Sequence, residues 1–447
     1  MTEQHHHTSV EGPLDPLAAA TCVAASGLLG DYVVYEQEGT WHIAGDARAE
    51  ILVDARGVRT RGTGTAETTS PLTGNPWRAI RSALDRIGPG EWNAYGWLAF
   101  ELGDGGLHEA SSLPPDAPGA DTLLGHLIVP ATELTLTPRG ATIRSADPAV
   151  IGRVAKLLDA APWKDERSPA PAPVDVHTPH TEYHDHVSRA VTEIAAGRLE
   201  KVILSRTVTV PFGVDMPATY LAGRRANTPA RSFLLDLDGL QTAGFSPETV
   251  IEAPGDGTAS TQPLAGTRAL TGDAGTDAVL RAELHRDPKE VHEHAMSVRL
   301  AVEELTRIGA PDTTRVTEFL TVKPRGSVQH LASRVVTDLA PDHSGWDALG
   351  AVFPPVTASG IPKQAARRLI RELESERRGP YAGAVLRASS DGALDAALVL
   401  RAVYQRGGRA WLRAGAGVVG ASRPAREYEE TCEKLRSVAP HVVPREV

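Results

Sequence analysis

Two stretches of the sequence each carry a pair of glutamates spaced three residues apart. Glu290 and Glu293 follow an Asp-Pro dipeptide, which predicts a helix that begins with a capping box and a first-turn proline. Glu427 and Glu430 lie in a second helical pattern near the C-terminus. Residues three apart share one helix face, so four carboxylates on two helices could hold a hard cation such as magnesium through oxygen. From the spacing alone, a solvated face remains the favoured interpretation of each pair.

Three single charged residues interrupt patterns that are otherwise apolar or turn-like. Lys201 begins an apolar stretch, where it either extends to solvent or, if partly buried, acts as a base. Glu248 follows Ser-Pro at a predicted turn, where it is either exposed or, if buried, an acid. Arg401 lies within ALVLRAVYQ and either reaches the edge of a sheet or binds a carboxylate with its planar guanidinium. The residue types alone leave these alternatives open.

The segment GAGVVG, residues 415–420, matches a dinucleotide-binding glycine pattern. We reject that function because Ser-Arg-Pro follows instead of a continuous helix, and too little chain remains for a second strand with an acidic ribose ligand. The expected structure is a glycine turn whose exposed backbone N–H groups meet a carboxylate.

Histidines and cysteines give no persuasive metal site in the sequence. Cys22 and Cys432 are the only cysteines and fit no metal or redox spacing, so we predict two inert thiols in a reducing compartment. A group of histidines beside a Pro-rich stretch is expected to be solvated surface. Its members are His177, His180, His184 and His186.

The candidate residues must be positioned by a mixed set of strands and helices. The stretch 31–43 predicts a hairpin around an EGT turn, and 92–103 is an apolar strand candidate. The Pro-rich stretch 161–179 predicts an extended connector, after which a helical pattern ends near Gly197. The later strands are often direct neighbours in sequence, which indicates mixed α and β structure rather than strict βαβ alternation.

Composition and charge exclude several classes of protein. The chain has 447 residues, of which 41% are hydrophobic and 23% charged, as is typical of a globular protein and not of a disordered one. The formal net charge is −10 without a basic block, so nucleic acid and anionic membranes are not expected as partners. The sequence shows no signal-peptide pattern and no apolar stretch long enough to span a bilayer, so we expect a cytoplasmic protein. An anionic substrate would need local positive charge.

Ten motifs follow one another in a fixed order from about Leu199 to the C-terminus. They are EKVILSR, GFSPE, QPLAGTRAL, DPKEVHEHAMSVR, GSVQHLASR, PPVTASGIPK, RRGPYAGAV, ALVLRAVY, WLRAGAGVV and EYEETCEKL. In these motifs the chain resembles the chorismate-utilising enzymes, which include anthranilate, aminodeoxychorismate, isochorismate and salicylate synthases. Within this family it most resembles the salicylate synthases of siderophore pathways, also in the segments GWLAFELG and NTPARSFLL.

The resemblance implies an α+β fold of the chorismate-binding, anthranilate synthase component I-like type. Two large antiparallel sheets would pack orthogonally, with helices outside. Residues 1–175 would contribute strands to the same body, and residues 176–447 would form the catalytic region. The substrate would be chorismate and the cofactor magnesium, and the protein would be a monomer without a glutaminase partner.

The resemblance also implies a role for each candidate residue. Lys201 would activate a water that attacks C2 of chorismate, and Glu248 would protonate the departing C4 hydroxyl, with His330 as a third catalytic residue. Magnesium would be held by Glu290, Glu293, Glu427 and Glu430. The substrate would be bound by Thr267, Thr357, Tyr381, Leu400, Arg401, Ala414, Gly415, Gly417 and Lys434, of which Tyr381 and Arg401 would hold the enolpyruvyl carboxylate.

Within this resemblance, Lys201 and Ala265 favour water over ammonia as the nucleophile. Aminating members lack the lysine that matches Lys201, and aminodeoxychorismate synthases carry a nucleophilic lysine where this chain has Ala265. We therefore expect isochorismate first, then salicylate and pyruvate. An isochorismate synthase that releases its product is the alternative, and an aminating subunit or a non-catalytic relic is less favoured.

One departure from the family pattern precedes the last helix. Members usually carry acidic residues after GAGVV, whereas this chain has Gly420 and Ala421. The lost negative charge is expected to tune magnesium affinity or the pH response without abolishing activity.

Overall fold

The computed structural model describes residues 5–62, 66–72, 74–87, 90–103, 122–160, 170–178 and 181–446. Within these ranges the chain forms 21 strands and ten α-helices, and every strand pairing is antiparallel. The strands are β1 His6–Glu11, β2 Tyr32–Gln37, β3 Thr40–Asp54, β4 Gly57–Gly62, β5 Thr68–Ser70, β6 Asn93–Leu98, β7 Gly125–Thr137, β8 Gly140–Ser145, β9 Lys201–Val210, β10 Arg231–Leu237, β11 Leu240–Ser246, β12 Thr249–Ala253, β13 Thr258–Thr261, β14 Leu264–Ala269, β15 Arg315–Arg325, β16 Val328–Asp338, β17 Gly360–Ile361, β18 Ala384–Ser389, β19 Leu394–Leu398, β20 Ala402–Arg406 and β21 Arg409–Val418. The helices are α1 Pro16–Ala25, α2 Pro76–Asp85, α3 Pro148–Asp159, α4 Thr181–Ala195, α5 Met216–Ala226, α6 Ala274–Arg286, α7 Pro288–Thr306, α8 Gly345–Val352, α9 Lys363–Leu373 and α10 Pro424–Leu435.

The strands form two sheets that share two long strands. The first has the order β17-β9-β21-β20-β11-β10-β2-β3-β7-β8-β1, and the second β5-β4-β3-β7-β6-β18-β19-β12-β13-β16-β15, with β14 beside β13 on β16. β3 belongs to both because one half pairs with β2 and the other half with β4. It passes between the sheets at a register shift from Ala47 to Ala49, next to Asp46 with φ +54°. The expected α+β class with large antiparallel sheets is confirmed, and hydrogen bonds join the sheets into one network.

Helices α7 and α10, which carry the glutamate pairs, pack directly on the sheets. α7 lies against β14 and β16, and α10 lies against β21 and α4. The carboxylate of Asp287 caps α7 by accepting the backbone N–H groups of Lys289 and Glu290, as predicted. Glu290 does not complete the expected capping box, because its carboxylate accepts the Thr267 N–H at 3.1 Å instead. Nowhere in the described ranges is a helix long and apolar enough to cross a membrane.

The other predicted elements are largely confirmed. The hairpin is β2 and β3, and the strand candidate 92–103 is β6 followed by a short 3-10 turn. The helix expected before Gly197 is α4, and Gly197 follows it with φ +72°. Of the predicted connector, residues 161–169 and 179 lie outside the described residues, as does His180, and 170–178 contain no helix or strand.

A buried ion pair ties the two sheets together near the site. Asp395 on β19 of the second sheet accepts two hydrogen bonds from Arg231 on β10 of the first, at 2.8 and 2.7 Å. The hydroxyl of Tyr35 on β2 also donates to this carboxylate. Both charged residues are buried, so each compensates a charge that would otherwise be unpaired in a low-dielectric interior.

Removing this carboxylate should destabilise the fold strongly. Asp395→Ala removes both short hydrogen bonds that the buried Arg231 guanidinium donates to a carboxylate and leaves it one longer ion-pair contact, with Glu252 at 3.7 Å, so the free energy of unfolding in urea should fall by about 3 kcal/mol. The matched control is Glu303→Ala, which breaks the exposed helical pair with Arg299 and should cost less than about 0.5 kcal/mol. A loss below about 1 kcal/mol in Asp395→Ala would contradict this account.

Candidate active site

Glu248 and Arg401 lie at two points where the chain passes from one sheet to the other. Glu248 occupies the link from β11 to β12, where a Ser-Pro dipeptide ends the strand. Arg401 lies between β19 and β20 with φ +52°, so the predicted apolar strand is in fact two strands in different sheets. Leu398 N–H donates to the Glu248 carbonyl at 3.0 Å, and Phe245 N–H donates to the Arg401 carbonyl at 3.1 Å. The two crossings are therefore bonded side by side, and both charged side chains are buried.

Lys201 is the first residue of β9 and is only 1% exposed, so the alternative of a solvent-directed lysine is wrong. Its Nζ lies 2.6 Å from Glu293 Oε1. Gly417 on the neighbouring β21 makes room for this contact, because a Cβ there would lie 3.3 Å from Lys201 Cε and 3.4 Å from the Glu293 carboxylate. A Cβ on Gly415 would lie 2.7 Å from the Leu204 carbonyl oxygen. Both glycines lie within a paired strand, so the expected glycine turn is wrong at these positions.

A cavity of about 710 Å³ is lined by all sixteen residues that the resemblance assigns to the site. They come from both sheets, from α7 and α10, and from the loops before β17 and β18. The fold thus brings the candidates together, while their individual roles remain predictions. The sixteen are Lys201, Glu248, Thr267, Glu290, Glu293, His330, Thr357, Tyr381, Leu400, Arg401, Ala414, Gly415, Gly417, Glu427, Glu430 and Lys434.

Glu248 is held as a protonated acid at neutral pH. Burial raises the pKa of its carboxyl to about 8, and the Thr357 hydroxyl, the Leu264 N–H and the Lys201 charge oppose that rise only in part. Thr357 Oγ1 donates to Glu248 Oε1 at 2.8 Å. A buried carboxyl that faces a cavity and keeps its proton near pH 7 is suited to donate that proton to a leaving group.

The four helix glutamates form two pairs with the same electrostatic pattern. Burial raises the pKa of Glu290, and the neighbouring Glu293 charge raises it further; burial and Glu430 do the same to the pKa of Glu427. In each pair the second carboxylate contacts an ammonium group. Burial favours protonation of Glu293, but Lys201 outweighs it and lowers the pKa, while Glu430 Oε1 lies 2.9 Å from Lys434 Nζ. Each helix therefore presents one carboxylate paired with an ammonium group and one carboxylate whose pKa is raised.

This donor set fits a hard divalent cation. All four donors are carboxylates, the ligand type that magnesium prefers, and the raised pKa values of Glu290 and Glu427 reflect negative charge that a cation would stabilise. Among the described residues, no three of these carboxylates approach within 4.8 Å of one another. A magnesium ion held here would accordingly retain water or substrate oxygens, as magnesium commonly does.

His330 links Arg401 to Thr267 through a neutral imidazole. Arg401 Nη2 lies 2.9 Å from His330 Nε2, and because a guanidinium only donates, Nε2 must accept. Nδ1 then carries the proton and lies 3.0 Å from Thr267 Oγ1. Burial, together with the Arg401 and Lys434 charges, holds the pKa of His330 well below its usual value. Burial and Arg325 lower the pKa of Arg401 to about 10, so its guanidinium stays charged at neutral pH.

Tyr381 is positioned by a buried cluster behind the cavity. Glu374 contacts Arg378 at 2.6 Å and Arg413 at 2.8 Å, and these three side chains are almost fully buried. The guanidinium carbons of Arg378 and Arg413 lie 5.6 and 5.4 Å from the Tyr381 ring centroid. Arg378 also donates to the carbonyl of Ile203 on β9. The cluster therefore fixes the tyrosine relative to the strand of Lys201.

Arg268 is a cavity residue that the sequence interpretation missed. Its guanidinium contacts Asp287 at 2.5 Å and Glu290 at 3.3 Å, joining β14 to the start of α7. No local signal distinguishes it, because an arginine beside a threonine on a half-buried strand is usually solvated. Of the predicted surface histidines, His177 is exposed, while His184 and His186 are half-buried.

The tautomer of His330 should be observable directly. In protein with ¹⁵N-labelled histidine, the His330 signals should show an unprotonated Nε2 and remain unchanged from about pH 8 to about pH 5, since the pKa lies well below about 6.5. A spectrum of His330→Gln assigns the signals. A titration midpoint near the ordinary histidine pKa would contradict the predicted hydrogen-bond network.

Comparisons with known proteins agree with this geometry. The family model of the chorismate binding enzyme matches residues 31–440. The chain is 43% identical over 437 residues to salicylate synthase from Mycolicibacterium paratuberculosis, covering 97% of this chain and 95% of that protein. It is 34% identical over 401 residues to anthranilate synthase component 1 from Streptomyces coelicolor, covering 82% and 77%. The crystal structure of anthranilate synthase component I from Streptococcus pneumoniae matches with a TM-score of 0.74 at 26% identity, over 90% of this chain and 92% of that chain. This chain therefore belongs to the family of chorismate binding enzymes.

Proposed function

We propose that this chain is a magnesium-dependent salicylate synthase that converts chorismate through isochorismate into salicylate and pyruvate. The observation that carries the proposal is a single cavity that combines a buried lysine, a buried protonated glutamate and two glutamate pairs. The 43% identity to a salicylate synthase along nearly the whole chain supports the same product.

In the first step, Lys201 and Glu248 would act as general base and general acid. Neutral Lys201 would take a proton from water as the oxygen bonds to C2 of chorismate, and Glu248 would give its proton to the C4 hydroxyl as that group leaves as water. One water is added and one released, so the product is the isomer isochorismate. Lys201 Nζ lies 2.6 Å from Glu293 Oε1, so this carboxylate would have to be engaged elsewhere before Lys201 could turn to the water.

Cationic side chains that line the same cavity would bind the substrate carboxylates. Arg401 uses one Nη group on His330 and the other on the Arg325 carbonyl, which leaves further N–H donors for a carboxylate. Tyr381 would share the enolpyruvyl carboxylate with Arg401. Lys434 donates to the Gly415 carbonyl at 2.8 Å, and a cation bound by the four glutamates would supply positive charge facing the ring carboxylate.

The second step would eliminate pyruvate from isochorismate without leaving the cavity. Hydrogen moves from C2 to the enolpyruvyl methylene as the C3–O bond breaks, which yields salicylate and pyruvate. This transfer needs the side chain folded over the ring, so a protein contributes chiefly by holding that pose. His330 contacts both Arg401 and the half-buried Thr267, and this linked set is suited to hold the enolpyruvyl group firmly.

The residues around Lys201 favour water over ammonia. Lys201 is buried in the cavity, and Ala265 cannot form the covalent adduct made by a lysine at this position. Because water is the proposed nucleophile, we also propose that the protein needs no glutaminase partner. We propose further that it is a cytoplasmic monomer, with residues 1–175 and 176–447 as parts of one body. The salicylate would enter siderophore biosynthesis.

A product assay tests this function. Purified protein with chorismate and magnesium should form salicylate and pyruvate in equal amounts, resolved by chromatography with salicylate fluorescence. EDTA should stop the reaction, and Lys201→Ala should give neither isochorismate nor salicylate while remaining folded. Isochorismate accumulating without salicylate would support the isochorismate synthase alternative, and anthranilate formed only with ammonia would support an aminating enzyme.

The pH dependence of activity should reflect the protonation of Glu248, the proposed acid. Because Glu248 must be protonated and its pKa is raised to about 8, activity should fall as pH rises through about 8. Glu248→Gln should lower kcat about 10²- to 10⁴-fold. Thr357→Val removes a hydrogen bond that stabilises the carboxylate, so the basic limb should move to higher pH. Retention of kcat within about tenfold in Glu248→Gln would remove this residue from the acid role.

A further inference from the structure

We propose that His177, Glu429 and Cys432 form a second cation site, suited to a borderline divalent ion such as Zn²⁺. One imidazole nitrogen, one carboxylate oxygen and the sulfur all lie within 4.8 Å of one another. In the part of the chain that the structure describes, this is the only group of three such donors. A mixed nitrogen, oxygen and sulfur set suits zinc, whereas magnesium prefers oxygen alone.

The distance between sulfur and nitrogen fits tetrahedral coordination. Cys432 Sγ lies 3.8 Å from His177 Nδ1. Bonds of about 2.3 Å to sulfur and about 2.0 Å to nitrogen at a tetrahedral angle place these atoms about 3.5 Å apart. A shift of a few tenths of an ångström would therefore complete the site, with Glu429 as third ligand and water as fourth.

Both elements that supply the ligands are held in place without an ion. The backbone N–H groups of Ala172 and Val174 donate to carbonyls of the C-terminal segment, which fixes the stretch before His177. The His177 N–H itself donates to Asp175 at 2.9 Å. The other two donors lie one turn apart on α10, so little ordering is needed when an ion binds.

Two arginines contact the three donors and determine what an ion must displace. Arg436 lies 3.0 Å from His177 Nε2 and 3.0 Å from Glu429 Oε1, so a cationic group already bridges these ligands. The Arg436 side chain is 45% exposed, and such surface ion pairs contribute little to stability. Replacing the Arg436 contacts by a metal ion therefore costs little free energy. Arg206 donates to Cys432 Sγ at 3.1 Å while its Nε is bonded to a threonine of α10.

The proposed site is separate from the active-site carboxylates. Glu427 and Glu430 line the cavity, whereas Glu429 and Cys432 do not. The inference therefore does not rest on the proposed function, and a failure of either leaves the other standing.

Cobalt is the probe, because a Co²⁺–thiolate bond gives a charge-transfer absorption band and the chain has only two cysteines. The full chain should be used with His5, His6 and His7 replaced by alanine, since these would bind the same ion, and with saturating Mg²⁺. We expect one equivalent of Co²⁺ with a thiolate band that Zn²⁺ displaces. The band should persist in the matched control Cys22→Ser and vanish in Cys432→Ser.

Two further variants keep the test decisive if the buried Cys432→Ser fails to fold. His177→Ala, at an exposed position, should weaken binding about tenfold or more while the circular dichroism spectrum is unchanged. Arg436→Met should strengthen binding, because the competing guanidinium is gone. Absence of the band in Cys22→Ser, its persistence in a folded Cys432→Ser, or unchanged affinity in His177→Ala would each overturn the proposal.

Discussion

Backbone hydrogen bonds between two adjacent chain crossings set the geometry on which the rest of the site depends. Each crossing carries the chain from one sheet to the other, and each places one charged residue, Glu248 or Arg401, in the cleft between them. Because each crossing donates to a carbonyl of the other, neither charged residue can shift without breaking a buried bond. The positive φ of Arg401 is strain that this arrangement retains at a site where position matters. Backbone hydrogen bonds therefore fix the positions of the proposed acid, Glu248, and of the proposed carboxylate-binding residue, Arg401.

A buried charge cluster extends this rigidity to Lys201, the proposed base. Glu374 forms ion pairs with both Arg378 and Arg413, and the two arginines in turn contact the strand of Lys201 and the ring of Tyr381. Buried ion pairs of this kind add little net stability compared with apolar packing. Removing one partner is nevertheless strongly destabilising, because it leaves an uncompensated charge in the interior. Here the cluster fixes the position of the loop residue Tyr381 relative to the strand that carries Lys201.

Local sequence patterns predicted several helices and strands, but they did not predict the burial or the electrostatic surroundings of the candidate residues. Helices α4 and α7 and the first hairpin carry local signals, namely a glycine stop, an Asp cap and a two-residue period, so their prediction needed no tertiary contact. The grouping of site residues came from ordered motifs, since spacing alone favoured solvated faces for the glutamate pairs. Burial of Lys201 and the pKa of Glu248 depend on residues distant in sequence, and no pattern near either residue shows them.

The errors of prediction have a common physical origin. Gly415 and Gly417 indicated a turn because glycine usually marks one, yet they lie in a strand whose neighbours leave no room for a side chain. The stretch around Arg401 indicated one strand because its composition is uniform, whereas the chain changes sheets within it. Gly420 is exposed in the turn before α10 and does not line the cavity. Acidic residues missing at this position would therefore not have lined the cavity beside the four glutamates. In each case contacts across the fold, which a local pattern does not contain, decide the outcome.

The net charge of −10 raises the question of how an acidic protein accepts a dianionic substrate, and the cavity answers it through local pairing. Lys201 and Lys434 each pair with one carboxylate of a glutamate pair, and Arg268 lies 3.3 Å from Glu290, so three of the four carboxylates have a cationic side chain beside them. Arg401 keeps its charge despite burial, because its pKa falls only to about 10, and this charge helps to hold the neighbouring His330 neutral. A protonated His330 would repel this guanidinium, and its Nε2 could no longer accept the Arg401 hydrogen bond. The neutral imidazole is therefore what allows a buried arginine to face an anion, and the overall charge of the surface matters far less than this local pairing within the cavity.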